Sequence, residues 1–145
     1  MLRILVPFDG SACSLRALHH VVAMQKTLRP ALEVVLINVQ PPAPVVDMML
    51  DGRPSDVRRL TEPLKAQGAK ILESGQRILE QAGIASRSFA ESGKEAQLIV
   101  DYAKTYHCEM IVMGTRDRGA LTSTVLGSVA NKVLQLAELP VVLVP

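Results

Sequence analysis

The sequence predicts an α/β fold built on a parallel sheet with helices on both faces. Short, nearly continuous apolar runs recur at Arg3 to Phe8, Leu32 to Val39, Met110 to Met113 and Val141 to Val144. Runs of this kind suit strands covered on both sides. Segments with helical spacing alternate with them along the whole length, the pattern of a parallel sheet with crossover helices. Hydrophobic residues make up 48% of the chain but aromatics only 3%, so the core must be built from Leu, Val, Ile and Ala.

Each element follows in order. Arg3 to Phe8 is the first strand, and Asp9-Gly10-Ser11 turns the chain into a helix with Ser11 at its N-cap. Leu15, Leu18, Val22 and Met24 mark the apolar face of that helix, which reaches about Leu28 before Pro30. Leu32 to Val39, rich in β-branched residues, is the second strand. Pro41, Pro42 and Pro44 stop it, and Asp51-Gly52 and Arg53-Pro54 add turn signals, so a long connection is expected as far as Thr61. The next helix carries Leu64, Gly68, Ile71, Leu72, Gly75, Ile78, Leu79 and Ala82 on one face. Each glycine there should cost about 1 kcal/mol relative to Ala, which close approach of helix to sheet would explain. Gly83 is a natural C-terminal cap. Ile84 to Ala90 reads as a half-wet edge strand. Glu95 to Tyr106 is amphipathic, with Ala96, Ile99, Val100 and Ala103 inward, and Met110 to Met113 is a buried strand. Leu126, Ala130, Val133, Leu134 and Ala137 define a last helix before the strand Val141 to Val144.

Composition narrows the functional classes. A chain of 145 residues fits one domain spanning 1–145. The net charge is +2, without a basic run, which argues against nucleic acid as a partner. No apolar run is long enough to span a bilayer, and the start turns into Pro7-Phe8-Asp9 too early for a secretory signal, so a soluble cytoplasmic protein is expected, with no membrane partner. Two cysteines, Cys13 and Cys108, make neither a disulfide framework nor a zinc site and read as small core residues.

The chemistry concentrates in Val112-Met113-Gly114-Thr115-Arg116-Asp117-Arg118-Gly119 and Leu126-Gly127-Ser128-Val129. An apolar strand ends at Gly114, a loop carries arginines, and Gly127-Ser128 opens a helix. A helix start offers backbone N–H groups without partners and a partial positive charge, and a glycine lets a ligand approach closely. That combination suits a phosphate group. In parallel sheets ligands bind beyond the carboxyl ends of the strands where strand order reverses. If the first and fourth strands are neighbours at that point, Asp9-Gly10-Ser11 and the Gly114 loop line one crevice.

Val6-Pro7-Phe8-Asp9-Gly10-Ser11, Ile111-Val112-Met113-Gly114-Thr115-Arg116, Leu126-Gly127-Ser128-Val129-Ala130 and Pro140-Val141-Val142-Leu143-Val144 together resemble the universal stress protein family over nearly the whole chain. The resemblance implies a Rossmann-like, five-stranded parallel sheet of the adenine nucleotide alpha hydrolase type, with strand order 3-2-1-4-5. It also implies a homodimer paired through Val141 to Val144. Family members divide into ATP binders and non-binders. By resemblance to the binders, Pro7, Phe8 and Asp9 follow the first strand, Asp9 holds the adenine or ribose side, and backbone groups around Val39 meet the adenine. Met113, Gly114, Arg116, Asp117, Gly127, Ser128 and Val129 complete the nucleotide-binding set.

The family's phosphate pattern is Gly, two residues, Gly, nine residues, then Gly and Ser or Thr. Here the spacing from Gly114 to Gly127-Ser128 is intact, but Asp117 replaces the second glycine. Asp tolerates a left-handed backbone better than most residues. Its charge matters more, since a carboxylate about 4 Å from a phosphate charge would cost roughly 4 kcal/mol at an effective dielectric of about 20. Even half of that weakens binding about thirtyfold. Arg116, Arg118 or a bridging Mg²⁺ would offset it. The expected function is thus a stress-response protein that binds ATP or a related adenine nucleotide as a regulatory ligand. No catalytic base is evident, so slow hydrolysis is the most expected. The alternative is a homodimeric interaction module of the same family that binds no nucleotide and acts through unidentified protein partners.

Other motifs yield less. Ser92-Gly93-Lys94 lacks the Ser or Thr that ends a P-loop, and no Gly-x-Gly-x-x-Gly follows the first strand. His19 and His20 read as surface or groove residues without metal-ligand spacing, and His107 as a helix end. Ser11 and Ser128 have no His partner for nucleophilic catalysis.

Overall fold

The computed structural model describes residues 1–42, 54–115 and 126–145. Its elements run β1 (Leu2–Pro7), α1 (Ala12–Thr27), β2 (Leu32–Gln40), α2 (Pro54–Gln81), β3 (Ala85–Ser92), α3 (Glu95–Thr105), β4 (Met110–Gly114), α4 (Ser128–Leu136) and β5 (Val141–Val144). The strands form one parallel sheet in the order β3-β2-β1-β4-β5, as expected. The order reverses between β1 and β4.

Alternation of side chains across the strands divides the core into two layers. Ile4, Val6 and Phe8 of β1 join Leu32, Val34 and Leu36 of β2 under α1 and α2. Leu5, Val35, Ile37, Val39, Ile111 and Met113 face α3 and α4 on the other side. Because β2 serves both layers, Leu32 to Val39 is buried without interruption, including the polar residues Glu33 and Asn38.

Ser11 caps α1 as expected, its Oγ accepting from the Ser14 N–H at 3.2 Å. The buried ridge of α1 is Cys13, Ser14, Ala17, Leu18 and Val21, whereas Leu15, Val22 and Met24 are only partly buried at its margins. The larger side chains were expected to lead the face. Small ones lead it instead, since they let α1 lie close over the sheet. Cys13 is accordingly in the core, but Cys108 is only half buried.

The connection after β2 is shorter than expected, because α2 begins at Pro54 rather than beyond Thr61. Proline suits the first helical position, where its missing N–H has no intrahelical acceptor anyway. Val57, Leu60 and Leu64 carry helical spacing there, but the turn signals Asp51-Gly52 and Arg53-Pro54 and a proline inside the helix, Pro63, obscure it in sequence. Further along, Gly68, Leu72, Gly75 and Leu79 form the buried ridge. The two glycines are there for contact: a Cβ on Gly75 would lie 2.9 Å from Leu36 Cδ2 and 3.2 Å from the Phe8 ring.

Helix ends follow the same logic. Gly83, at φ +71°, closes α2 with its N–H on Glu80 O at 3.0 Å and the Ile84 N–H on Leu79 O at 2.9 Å. His107 does the same for α3 at φ 54°, with the Cys108 N–H reaching Ala103 O at 2.8 Å. In α4, Ala130 and Val133 are buried, but Leu134 is 43% exposed and Leu126 lies before the helix. With nine residues, α4 has one narrow stripe to bury, and Leu134 falls outside it.

Candidate functional site

The reversal between β1 and β4 opens a crevice at the carboxyl ends of the strands. The β1 side contributes Pro7, Phe8, Asp9, Ser11 and Ser14, and the end of β2 contributes Ile37, Asn38 and Val39. Met113 and Gly114 come from β4, Val129 and Ala130 from α4, and Glu95 and Ile99 from α3. Most of the wall is therefore aliphatic, with polar groups converging at one side, the usual form of a small-molecule site.

Local chemistry sets each polar group. Gly10 turns the chain after β1 at φ +79°, and the Asp9 Oδ1 accepts from the Ser11 N–H at 2.9 Å. That turn holds the Asp9 carboxylate at the mouth while Ser11 starts α1. The Ser14 hydroxyl donates to Ser11 O at 3.0 Å, which ties the first turn of α1 back to the loop. Asn38, 2% exposed, donates from Nδ2 to Phe8 O at 2.9 Å and accepts at Oδ1 from Gln40 Nε2 at 3.0 Å.

Across the crevice, the end of β4 and the start of α4 are drawn together. The Gly127 N–H donates to Thr115 O at 2.7 Å, and the Thr115 N–H donates to Val144 O at 3.1 Å. Gly127 is the N-cap of α4 and brings no capping side chain. From the first turn of α4, Val129 and Ala130 line the crevice, on the side of the positive end of the helix dipole. Gly114 is required at its place because a Cβ there would overlap the Cys13 thiol.

Of the residues expected from sequence, Pro7, Phe8, Asp9, Val39, Met113, Gly114 and Val129 line this one crevice. Gly127 is buried and Ser128 is exposed at the helix start, and neither is among the lining residues. Arg116 and Asp117 lie outside the described residues, as does Arg118. Sequence reasoning missed Ser14, Ile37, Asn38, Glu95, Ile99 and Ala130 as lining residues. Asn38 carried a signal, since a lone amide in an apolar strand buried on both faces must serve a specific partner. Glu95 carried none beyond its place in the first turn of a helix, where a carboxylate is favourable.

Among the described lining residues the charged ones are Asp9 and Glu95, both acidic. The cavity chemistry so described matches an uncharged, flat group with donors and acceptors at its edges. Among the described residues no group of three or more His, Cys, Asp or Glu is placed to hold a metal ion. His19 and His20 are exposed on α1, and no helix among the described residues is long and apolar enough to cross a membrane.

Comparison with known proteins agrees with this geometry. The family model described as the universal stress protein family matches residues 1–145. Universal stress protein MJ0531 of Methanocaldococcus jannaschii is 32% identical, the match covering 98% of this chain and 81% of that protein. The solved structure of hypothetical protein MJ0577 superposes with a TM-score of 0.84 at 26% identity, covering 99% of this chain and 94% of the other. The same fold recurs in a universal stress protein in complex with cAMP, at a TM-score of 0.64, 23% identity and coverage of 99% and 97%. It recurs in an Arabidopsis thaliana family member with AMP bound, at 0.67, 17% identity and coverage of 99% and 91%. The parallel sheet reversing between β1 and β4 thus finds its counterpart over the full chain, which belongs to the universal stress protein family.

Proposed function

We propose that this protein binds an adenine nucleotide, ATP or a close relative, as a regulatory ligand in a cytoplasmic stress response. The observation that carries the reading is the single crevice lined by Pro7, Phe8, Asp9, Val39, Met113, Gly114 and Val129. Its aliphatic walls suit a purine ring, Asp9 suits ribose hydroxyls, and the start of α4 at Gly127-Ser128 suits phosphate oxygens. Arg116 on the loop and Gly127 at the helix N-cap would complete the phosphate cradle, with Mg²⁺ bridging Asp117 and the phosphates. The AMP and cAMP complexes of related folds support the adenine part of this reading. In this reading the ligand acts by being held, with at most slow hydrolysis.

Titration calorimetry with ATP and Mg²⁺ tests the reading, with AMP and cAMP run in parallel. Saturable heat and thermal stabilisation are expected. Absence of both at millimolar nucleotide would overturn it.

A second reading has its own observation, the acidic pair Asp9 and Glu95 in the crevice. It makes the protein a dimeric interaction module without nucleotide, and nucleotide copurifying with an untreated preparation would exclude it. Both readings include a homodimer through β5, a four-residue edge strand whose residues are all half buried. Sedimentation at micromolar concentration, compared between wild type and Val142→Lys, tests that pairing.

A further inference from the structure

Asn38 stands where the β1–β2 ladder ends, and the ladder's parity gives it a role. The Ile37 carbonyl accepts from the Phe8 N–H at 2.8 Å, so Ile37 faces β1. The Gln40 carbonyl accepts from the Gly93 N–H at 3.0 Å, so Gln40 faces the β3 side. Backbone groups alternate sides along a strand, which turns the Val39 peptide toward β1. The β1 pairing ends with Pro7 opposite Ile37, one rung short of Val39. The next rung of a parallel ladder would carry the Val39 N–H to the Phe8 carbonyl. That carbonyl accepts the Asn38 Nδ2 at 2.9 Å.

We propose that Asn38 is a positioning residue, its amide occupying the Phe8 carbonyl so that the ladder stops and the Val39 N–H stays available to a ligand in the crevice. The same bond fixes the Phe8–Asp9 peptide, and so the start of the Asp9 turn. The ligand part rests on the proposed adenine nucleotide reading, in which backbone groups around Val39 meet the adenine, and adds the residue that keeps that backbone donor open. Gln40 Nε2 holds the Asn38 Oδ1 at 3.0 Å and sets which way the amide faces. Gly68 of α2 leaves room for it, since a Cβ there would lie 2.5 Å from the Asn38 Oδ1.

Amide hydrogen exchange of the full chain without ligand is the direct test. In Asn38→Ala and Asn38→Asp the Phe8 carbonyl loses its side-chain donor, and the Val39 amide is expected to gain protection on the order of tenfold by pairing with it. Gly68→Ala, which displaces the amide from the α2 side, is expected to shift Val39 the same way. Unchanged Val39 protection in all three variants, with melting temperatures showing them folded, would overturn the proposal. AMP is the probe for the second arm. Its affinity should fall on the order of tenfold in Asn38→Asp, and Asn38→Ala should lose less in an Asp9→Ala background than alone. Full additivity in that cycle would overturn the link to Asp9. If wild type binds no AMP, the nucleotide reading is in error, while the exchange result still decides the role of Asn38.

Discussion

The α carbon of Gly114 rests against the side chain of Cys13, so closely that no Cβ fits between them. Cys13 is buried in the first turn of α1, with its thiol directed at the Val144 carbonyl 3.6 Å away. One contact therefore locks α1, the end of β4 and the end of β5 beneath the crevice. Gly114→Ala is expected to destabilise the fold by about 1–3 kcal/mol through overpacking. Cys13→Ala should cost about 1 kcal/mol, and the double variant should recover part of the Gly114→Ala loss. Denaturant melts of the four proteins check this, and simple additivity would mean that the two residues do not compete for space.

Gly75 poses a contest between helix propensity and packing. Alanine would gain about 1 kcal/mol of helical preference. Its Cβ would also press on Leu36 Cδ2 at 2.9 Å and on the Phe8 ring at 3.2 Å, atoms of the fully packed sheet. Overpacking of about 1–3 kcal/mol should win, so Gly75→Ala is expected to lower the melting temperature. A raised melting temperature would show that α2 can lift off the sheet freely.

At the opposite end of the strands Glu33, 8% exposed, is flanked by Arg3 at 3.2 Å and Arg87 at 3.3 Å. Arg3 also donates to the Tyr106 carbonyl at 2.7 Å, joining β1 to the end of α3. Glu33→Ala leaves the half-buried Arg3 without its carboxylate and is expected to cost about 1–2 kcal/mol, less than a fully buried pair because solvent reaches both arginines. Arg87→Ala, at a more exposed position, should cost well under that. Equal effects in chemical denaturation would contradict the difference in burial.

Burial pushes the Cys108 thiol up to about 11, with Glu33 and Glu109 adding to the rise and Arg3 opposing it. The folded chain therefore keeps a proton that the unfolded chain releases near pH 9. This contribution is complete below about pH 9 and is lost as pH rises through about 11. Tyr102, raised by burial and by its 2.6 Å bond to Glu91, acts in the same direction at still higher pH. Stability should accordingly fall above pH 9, and Cys108→Ala should flatten the first part of that fall. Thermal melts across the alkaline range check it, and identical slopes in the variant would remove Cys108 as a cause.

Asp117 separates the phosphate part of the proposed ligand from the nucleoside part. Asp117→Gly is expected to tighten ATP binding about tenfold or more while leaving adenosine affinity unchanged. Calorimetry with both ligands measures the contrast. An equal change for both would mean that residue 117 acts on the shape of the crevice and not through charge.

Much of this was legible in the chain. Apolar runs separated by helical periods predicted the strand and helix order, and family resemblance supplied the 3-2-1-4-5 arrangement that the sheet adopts. Gly68 and Gly75 were readable as contact residues because their helical cost demanded a reason. The start of α2 was not read as helix, since Pro54 and Pro63 flank the short apolar period of Val57, Leu60 and Leu64 and speak locally for a turn. On α1 the expected Leu18 is buried, while Cys13, Ser14, Ala17 and Val21 share the ridge with it and Leu15, Val22 and Met24 pack at its margins.

For the site, the sequence by itself determined which loops carry chemistry, because turns and helix starts are local and announce themselves through Asp9, Gly10, Gly114 and Gly127. Only the tertiary structure decided that Asn38 and Glu95 join them, and that the Phe8 carbonyl is taken by a side chain instead of a strand. Those contacts link residues about 30 or more positions apart in the chain, such as Asn38 and Phe8. They depend on how β1 is registered against β2, with Pro7 opposite Ile37, which spacing along one segment does not contain.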